Sequence, residues 1–137
     1  MTSEMQAMLT ATSFAVVGAS RDPDKYGFLA YRSLKAAGKT AFPVNPMAME
    51  VDGDRCYPSL SSLPQTPAVA VMVVPPAMTE AAVAECARLG ITQVWMQPGA
   101  ESAAAIAACH ENGIRVVAGG PCLMVLLRTA PYQSHEI

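Results

Sequence analysis

An α/β fold built on a doubly wound parallel sheet is predicted by three observations in this sequence. Five short apolar runs alternate with segments of helical spacing or with loops. Each run ends in small or special residues: Gly18-Ala19-Ser20, Asn45-Pro46, Pro75-Pro76, Gln97-Pro98-Gly99 and Gly119-Gly120-Pro121. The first run is apolar on both faces, as a central parallel strand must be. Right-handed crossovers then leave a Rossmann-like, five-stranded parallel sheet of order 3-2-1-4-5 with helices on both faces.

Each element has its own signal. Met1 to Ala11 reads as a short helix with Met5, Met8 and Leu9 on one face, covering one side of the sheet. Phe14 to Gly18 is the first strand. Tyr26 to Ala37 is a helix, with Ala30, Leu34 and Ala37 spaced to face the sheet and Gly38 as its stop. Thr40 to Val44 is the second strand, followed by an irregular stretch with a turn at Val51-Asp52-Gly53-Asp54 and an extended piece to Tyr57. One helical turn is expected at Ser59 to Leu63 within the loop that runs to Pro67. Ala68 to Val74, a continuous apolar run, is the third strand. Ala77 to Leu89 is the next helix, with Val83, Cys86 and Ala87 inward. Thr92 to Met96 is the fourth strand. Ser102 caps a helix over Ala103 to Asn112. Ile114 to Ala118 is the fifth strand, and a short helix follows over Cys122 to Arg128, before a loose tail from Thr129 to Ile137.

Bulk composition narrows the function classes. A chain of 137 residues is one domain's worth, and the core is expected over about 12–128. It is 52% hydrophobic and 15% charged, enough to bury a substantial core. Nine basic against eleven acidic residues, a formal charge of −2, argue against a nucleic-acid surface. No apolar run reaches the roughly 20 residues that span a bilayer, and Met1 to Thr12 lacks the basic start of a secretory signal. Cys56, Cys86, Cys109 and Cys122 are spaced 30, 23 and 13 apart, without a C-x-x-C pair. They read as reduced, mostly buried thiols of a cytoplasmic protein.

In such a sheet the ligand sits at the C-terminal ends of the strands, near the switch in strand order. The stretch from Phe14 to Gly27 offers a seat for phosphate: a strand, a tight turn and a helix N-terminus with unpaired N–H groups. A dinucleotide fingerprint would need G-x-G-x-x-G and an acid at the end of strand 2. Here Gly18 is followed by Ala19 and Ser20, the next glycine is Gly27, and Asn45 stands where the acid should be. Both departures count against NAD. The loop carries Arg21, Lys25 and the Ser20 hydroxyl, which suit a ligand with several phosphates. The same two cations also read as solvated loop charges balanced by Asp22 and Asp24.

Several motifs in order carry a resemblance: Val16-Val17-Gly18-Ala19-Ser20, Tyr26-Gly27, Pro43-Val44-Asn45-Pro46, Val74-Pro75-Pro76, Val94-Trp95-Met96-Gln97-Pro98-Gly99 and Cys122-Leu123-Met124. From about residue 12 to 128 the chain resembles the small CoA-binding protein family. Its members are stand-alone relatives of the CoA-binding domain of the succinyl-CoA synthetase alpha subunit. The resemblance implies coenzyme A, or an acyl-CoA, as the small-molecule ligand. It implies that Gly18, Ala19 and Ser20 meet the pyrophosphate or ribose, and that Arg21 and Lys25 meet phosphates, including the 3′-phosphate. Tyr26 and Gly27 belong to the same seat. Asn45 and Pro46 would line the pocket, and Val74, Pro75 and Pro76 would form an apolar wall. Gln97 and Gly99 would stand near the thiol end. Gly119-Gly120-Pro121 and the single Arg128 depart from the family at the pocket's far end.

The synthetase's phosphorylated histidine belongs to a separate domain. His110 reads as a helix-surface residue and His135 lies in the tail. Trp95 reads as core. The expected function is therefore a cytoplasmic CoA or acyl-CoA binder without catalytic apparatus, with a regulatory role if CoA occupancy changes docking to another protein; a homo-oligomer is the other partner expectation. The alternative is an enzyme, using an atypical NAD(P) site or a Cys122-dependent thioester step. Cys122 reads otherwise as a buried structural thiol.

Overall fold

The computed structural model describes residues 1–127. Expectations for Arg128, His135 and the tail from Thr129 to Ile137 lie outside the described residues. In chain order the elements are α1 (Ser3–Thr10), β1 (Ser13–Val17), α2 (Tyr26–Ala36), β2 (Thr40–Val44), β3 (Glu50–Val51), β4 (Asp54–Arg55), a 3₁₀ turn (Leu60–Ser62), β5 (Val69–Met72), α3 (Pro76–Leu89), β6 (Gln93–Met96), α4 (Ala103–Glu111) and β7 (Arg115–Val117). A final helical stretch covers 123–127. No helix among the described residues is long and apolar enough to cross a membrane.

The main sheet has the order β2-β1-β5-β6-β7, and every pairing in it is parallel. This is the expected Rossmann-like, doubly wound sheet. One assignment within it changes. The run Ala68 to Val74, read as the third strand, does not lie outside β2. It pairs with β1, through Phe14↔Val69 to Val17↔Met72. The place outside β2 is held by a single parallel bridge, Val44↔Tyr57. Burial explains the exchange. All four residues of β5 are fully buried, so both faces need cover, which a central position supplies and an edge does not.

The two faces of the sheet carry separate cores, split by the alternation of the strands. Phe14, Val16, Val69, Val71 and Trp95 point to one face, where they meet Met8, Leu9, Phe28, Ala30, Tyr31, Leu34 and Leu123. Ala15, Ala70, Met72, Val94 and Met96 point to the other, against Val83, Cys86, Ala105 and Cys109. The helical spacings that put Ala30 and Leu34, and Val83 and Cys86, against the sheet are thus realised; Ala37 and Ala87 are half-buried at its margin. Trp95 is wholly buried and His110 is exposed. α1 does cover one face, and Lys39 Nζ pins its end by donating to the Leu9 and Ala11 carbonyls, each at 2.7 Å.

The irregular stretch after β2 is more regular than expected. β3 and β4 pair antiparallel around Asp52-Gly53, both with positive φ (52° and 79°). This is the geometry of a two-residue hairpin, and Asp-Gly is its usual sequence. The hairpin is tied to α2. Lys35 Nζ lies 2.9 Å from Asp52 Oδ2 and 2.5 Å from Asp54 Oδ2, while the Tyr31 hydroxyl donates to Asp54 Oδ2 at 2.6 Å. From the hairpin the chain reaches Tyr57, whose N–H donates to Pro43 O and whose carbonyl accepts from Asn45 N, both at 2.9 Å. The 3₁₀ turn follows, with Ser59 and Ser62 capping each other.

Two glycines set the end of β1. Gly18 turns with φ +98°, and a Cβ there would stand 2.3 Å from Val73 O. A Cβ on Gly27 would stand 2.0 Å from Gly18 O. The first turn of α2 therefore rests on the backbone of the β1 turn, which in turn rests on the end of β5. No side chain fits between them.

Gly27→Ala should cost about 1–3 kcal/mol, because backbone and not a flexible side chain must move. Urea unfolding measures it, and an unchanged midpoint would contradict the packing. The Lys35–Asp54 pair gives a second expectation. The hydrogen bond from Lys35, then that from Tyr31, holds the Asp54 carboxyl below its ordinary value; the bond to Asp54 holds Lys35 above its own. Asp54's contribution is present above the ordinary carboxylate value of 3.8 and is lost as pH falls through the lower folded one. Lys35's is present below 10.5 and is lost as pH rises through the higher folded value. Asp54→Asn keeps an acceptor for Tyr31 and should flatten both limbs of the stability–pH profile, by under about 1 kcal/mol since the pair is part-exposed. A profile identical to that of the parent protein would refute this.

Candidate functional site

The strand ends meet at one edge of the sheet, where the switch between β1 and β5 opens a cleft. Around it, the chain's own hydrogen bonds shape the loop between β1 and α2. Asp22 N–H donates to Ser20 Oγ and Asp24 N–H to Asp22 Oδ1, each at 3.0 Å. Lys25 N–H donates to Asp22 O at 3.1 Å. Asp22 thus spends a carboxylate oxygen on its own loop. Neither Arg21 nor Lys25 forms an ion pair among the described residues, so the expected balancing by Asp22 and Asp24 is not a direct pairing.

The loop leaves backbone donors over. The amides of Ala19, Ser20, Tyr26 and Gly27 donate to no acceptor among the described residues. Lys25 is the N-cap of α2 and makes no side-chain cap bond, and no acid stands in the helix's first turn. The Ala19 amide is buried, but the Ser20, Tyr26 and Gly27 amides at the cavity, an uncapped helix N-terminus and an unpaired lysine together favour an anion.

Asn45 explains one departure from the dinucleotide pattern. Its Nδ2 donates to Ala19 O at 2.8 Å and its Oδ1 accepts from Met47 N–H at 2.8 Å. The side chain laces the β1 turn to the end of β2. A carboxylate could not donate to Ala19 O, so an acid here would lose that tie.

The structure sorts the sequence-selected residues into three groups. A first cavity of about 840 Å³ is lined by Gly18, Ser20, Lys25, Tyr26, Gly27, Asn45, Pro46, Val74 and Pro75. A second, of about 960 Å³, shares Tyr26, Val74 and Pro75 and adds Pro76, Gln97 and Gly99. Arg21 lines neither. It borders a depression of about 470 Å³ on the outer side of the loop, with Ser20, Lys25 and Asn45. Ala19 is fully buried and lines no cavity; its carbonyl serves Asn45.

Gln97 lies in the wall of the second cavity but its amide is committed. It is 4% exposed, donates from Nε2 to Cys122 Sγ at 3.3 Å and accepts at Oε1 from Leu123 N–H at 2.8 Å. Trp95 Nε1 donates to Pro121 O at 3.3 Å. These bonds hold the chain after β7 against the sheet edge and place Cys122 in the cavity wall. Cys122 is half-exposed, which corrects the reading of it as a buried thiol; the other three cysteines are buried. Burial pushes the Cys86 thiol up to about 12 and the Cys109 thiol to about 11. Among the described residues no group of three or more His, Cys, Asp or Glu is placed to hold a metal ion.

Some lining residues escaped the sequence reading. Met78, Ala82 and Glu85 form the α3 wall of the first cavity, and Pro58, Ser59 and Leu60 its far side. Leu29 and Ser33 join the expected Tyr26 in the α2 wall of the second. Both helical sets follow i, i+3/i+4, i+7 spacing, so each stripe was visible as a face. What was not visible was that these faces border open space.

The comparisons agree with this architecture. The sequence profile of the CoA binding domain matches residues 12–128. The chain is 29% identical over 126 residues to the acetate–CoA ligase (ADP-forming) II subunit alpha of Pyrococcus furiosus, covering 84% of this chain and 27% of that protein. It thus spans about a quarter of that relative's length, and 12% of the acetate–CoA ligase (ADP-forming) I of Archaeoglobus fulgidus, to which it is 34% identical over 84 residues and 61% of its own length. Among solved structures, a conserved hypothetical protein from Pyrococcus furiosus is 36% identical with a TM-score of 0.79, covering 84% of this chain and 98% of that one. A hypothetical protein from Pyrococcus horikoshii OT3 superposes with a TM-score of 0.85 at 29% identity, covering 92% and 88%. With the profile matched across both cavities and every strand of the sheet, the chain belongs to the CoA binding domain family.

Proposed function

We propose that the protein binds CoA or an acyl-CoA in the paired cavities, without turning it over. The observation that carries this reading is the seat at the β1–α2 turn: free amides and an unpaired Lys25 at one end of a cleft that runs past Tyr26 into an uncharged trough. A ligand with phosphates at one end and a neutral arm at the other matches that order. Ser20, Tyr26 and Gly27 would meet the pyrophosphate through backbone amides, Gly18 and Gly27 would allow the close approach that a missing Cβ permits, and Ala19, buried beneath, would hold the turn in shape. Lys25 faces both the first cavity and the outer depression, and Arg21 borders only the latter, so the two would flank the 3′-phosphate. Asn45 and Pro46 would form the rim. Val74, Pro75 and Pro76 would be the shared wall along the pantetheine arm, leading to Gln97 and Gly99 at the thiol end.

Binding rather than catalysis is favoured by the thiol end itself. Among the described residues no Asp, Glu, Lys, Arg or His lines the second cavity, and Cys122 Sγ is engaged by Gln97. Four free thiols fit a reducing, cytoplasmic setting. Occupancy could then act as a signal of the CoA pool.

Calorimetry with CoA, 3′-dephospho-CoA and NAD tests the assignment. CoA should bind tightest. Lys25→Ala should weaken CoA by about five- to tenfold, roughly 1–1.4 kcal/mol, and narrow its advantage over the dephospho form. Equal or absent binding of all three ligands would overturn the reading. Steady acyl-CoA hydrolysis that disappears in Cys122→Ser would replace it with the enzyme alternative.

A further inference from the structure

We infer that the second cavity takes an aliphatic acyl chain, so that the preferred ligand is the CoA thioester of an uncharged fatty acid rather than of a dicarboxylic acid. The inference rests on the CoA reading above and specifies the part of the ligand which that reading leaves open.

Three observations lead to it. The first is continuity. Tyr26, Val73, Val74 and Pro75 line both cavities, so a ligand anchored at the phosphate seat passes into the second one without leaving protein surface. The second is the division of charge. Asp24, Lys25 and Glu85 line the first cavity, whereas no Asp, Glu, Lys or Arg among the described residues lines the second. The third is the state of the polar groups that do occur there. Gln97, the buried polar residue of that wall, already uses its amide on Cys122 and Leu123. Ser33, Tyr26 and Cys122 add uncharged polar groups, and most of the remaining surface is apolar, with Leu29, Val74, Pro98, Ala100 and Met124 in it.

These features discriminate between acyl groups. A terminal carboxylate entering this space would leave water and find no cation among the described residues, which costs free energy. A methylene chain entering it would shed water from both itself and the apolar wall, which is favourable. At about 960 Å³ the cavity has room for more than the end of the pantetheine arm.

Calorimetry with CoA and with acetyl-, butyryl-, hexanoyl-, octanoyl- and succinyl-CoA tests the inference. Affinity should rise about two- to fourfold per added methylene until the chain leaves the cavity. Succinyl-CoA should bind at least about tenfold more weakly than butyryl-CoA, its closest match in length. Leu29 lies on the outer surface of α2, 37% exposed, so its replacement spares the core. Leu29→Asp should flatten the chain-length series, weakening octanoyl-CoA several-fold more than it weakens CoA itself. Tight CoA binding with no dependence on the acyl group would overturn this inference and leave the CoA reading standing. A chain-length series that survives Leu29→Asp intact would place the chain elsewhere and also overturn it. Binding of neither CoA nor any thioester would overturn both.

Discussion

The backbone contact between the β1 turn, the end of β5 and the first turn of α2 is the constraint on which the rest depends. Gly18 and Gly27 permit it because any Cβ there would stand far inside van der Waals contact with a carbonyl oxygen. The consequence is larger than local packing. With α2 seated directly on the turn, its N-terminal amides open at the strand edge instead of being buried under side chains. Asn45 then fixes the third side by reaching from β2 to Ala19 O. Three separate strands thus converge on one short loop, and the donors that the loop cannot satisfy internally are left to a ligand.

That convergence also separates charge. On the α3 side of Tyr26 the cleft has Lys25, Asp24 and Glu85; beyond it toward β6 there is no formal charge among the described residues. The separation follows from chain order. The charged residues come from the polar loop after β1 and from the solvent-facing stripe of α3. The uncharged wall comes from strand ends and from the apolar chain after β7, which Gln97 and Trp95 fasten down by hydrogen bonds. A buried glutamine used in this way is a satisfied polar group in the core, and the cavity beside it keeps an apolar surface.

The hairpin of β3 and β4 supports the same arrangement from the other flank. Lys35, Tyr31 and Asp54 hold it to α2, and the chain leaving it supplies the Tyr57 bridge and then the Pro58–Leu60 wall. A single bridged residue in place of a full strand leaves the edge of the sheet short, which limits the unpaired backbone it presents. It also brings the 3₁₀ turn up to the cleft, where Glu85 accepts from Ser61 N–H at 3.2 Å.

The sequence by itself determined the class of fold, the elements and the nature of the seat. Period-two and period-3.6 patterns are local, and the turn residues at Gly18, Gly90 and Gly113 lie where the elements end, so they could be read without any knowledge of packing. The Asp52-Gly53 turn and the Ser102 cap were equally legible. The tertiary structure decided what depends on neighbours distant in sequence. It moved the Ala68 to Val74 run beside β1, because a strand buried on both faces cannot lie at an edge. It turned Asn45 and Gln97 from simple lining residues into ties, because their partners lie 26 residues away along the chain. It kept Arg21 out of the first cavity that Lys25 lines and left Cys122 only part-buried. A residue's type states which bonds it can make; only the fold states which of them are already made.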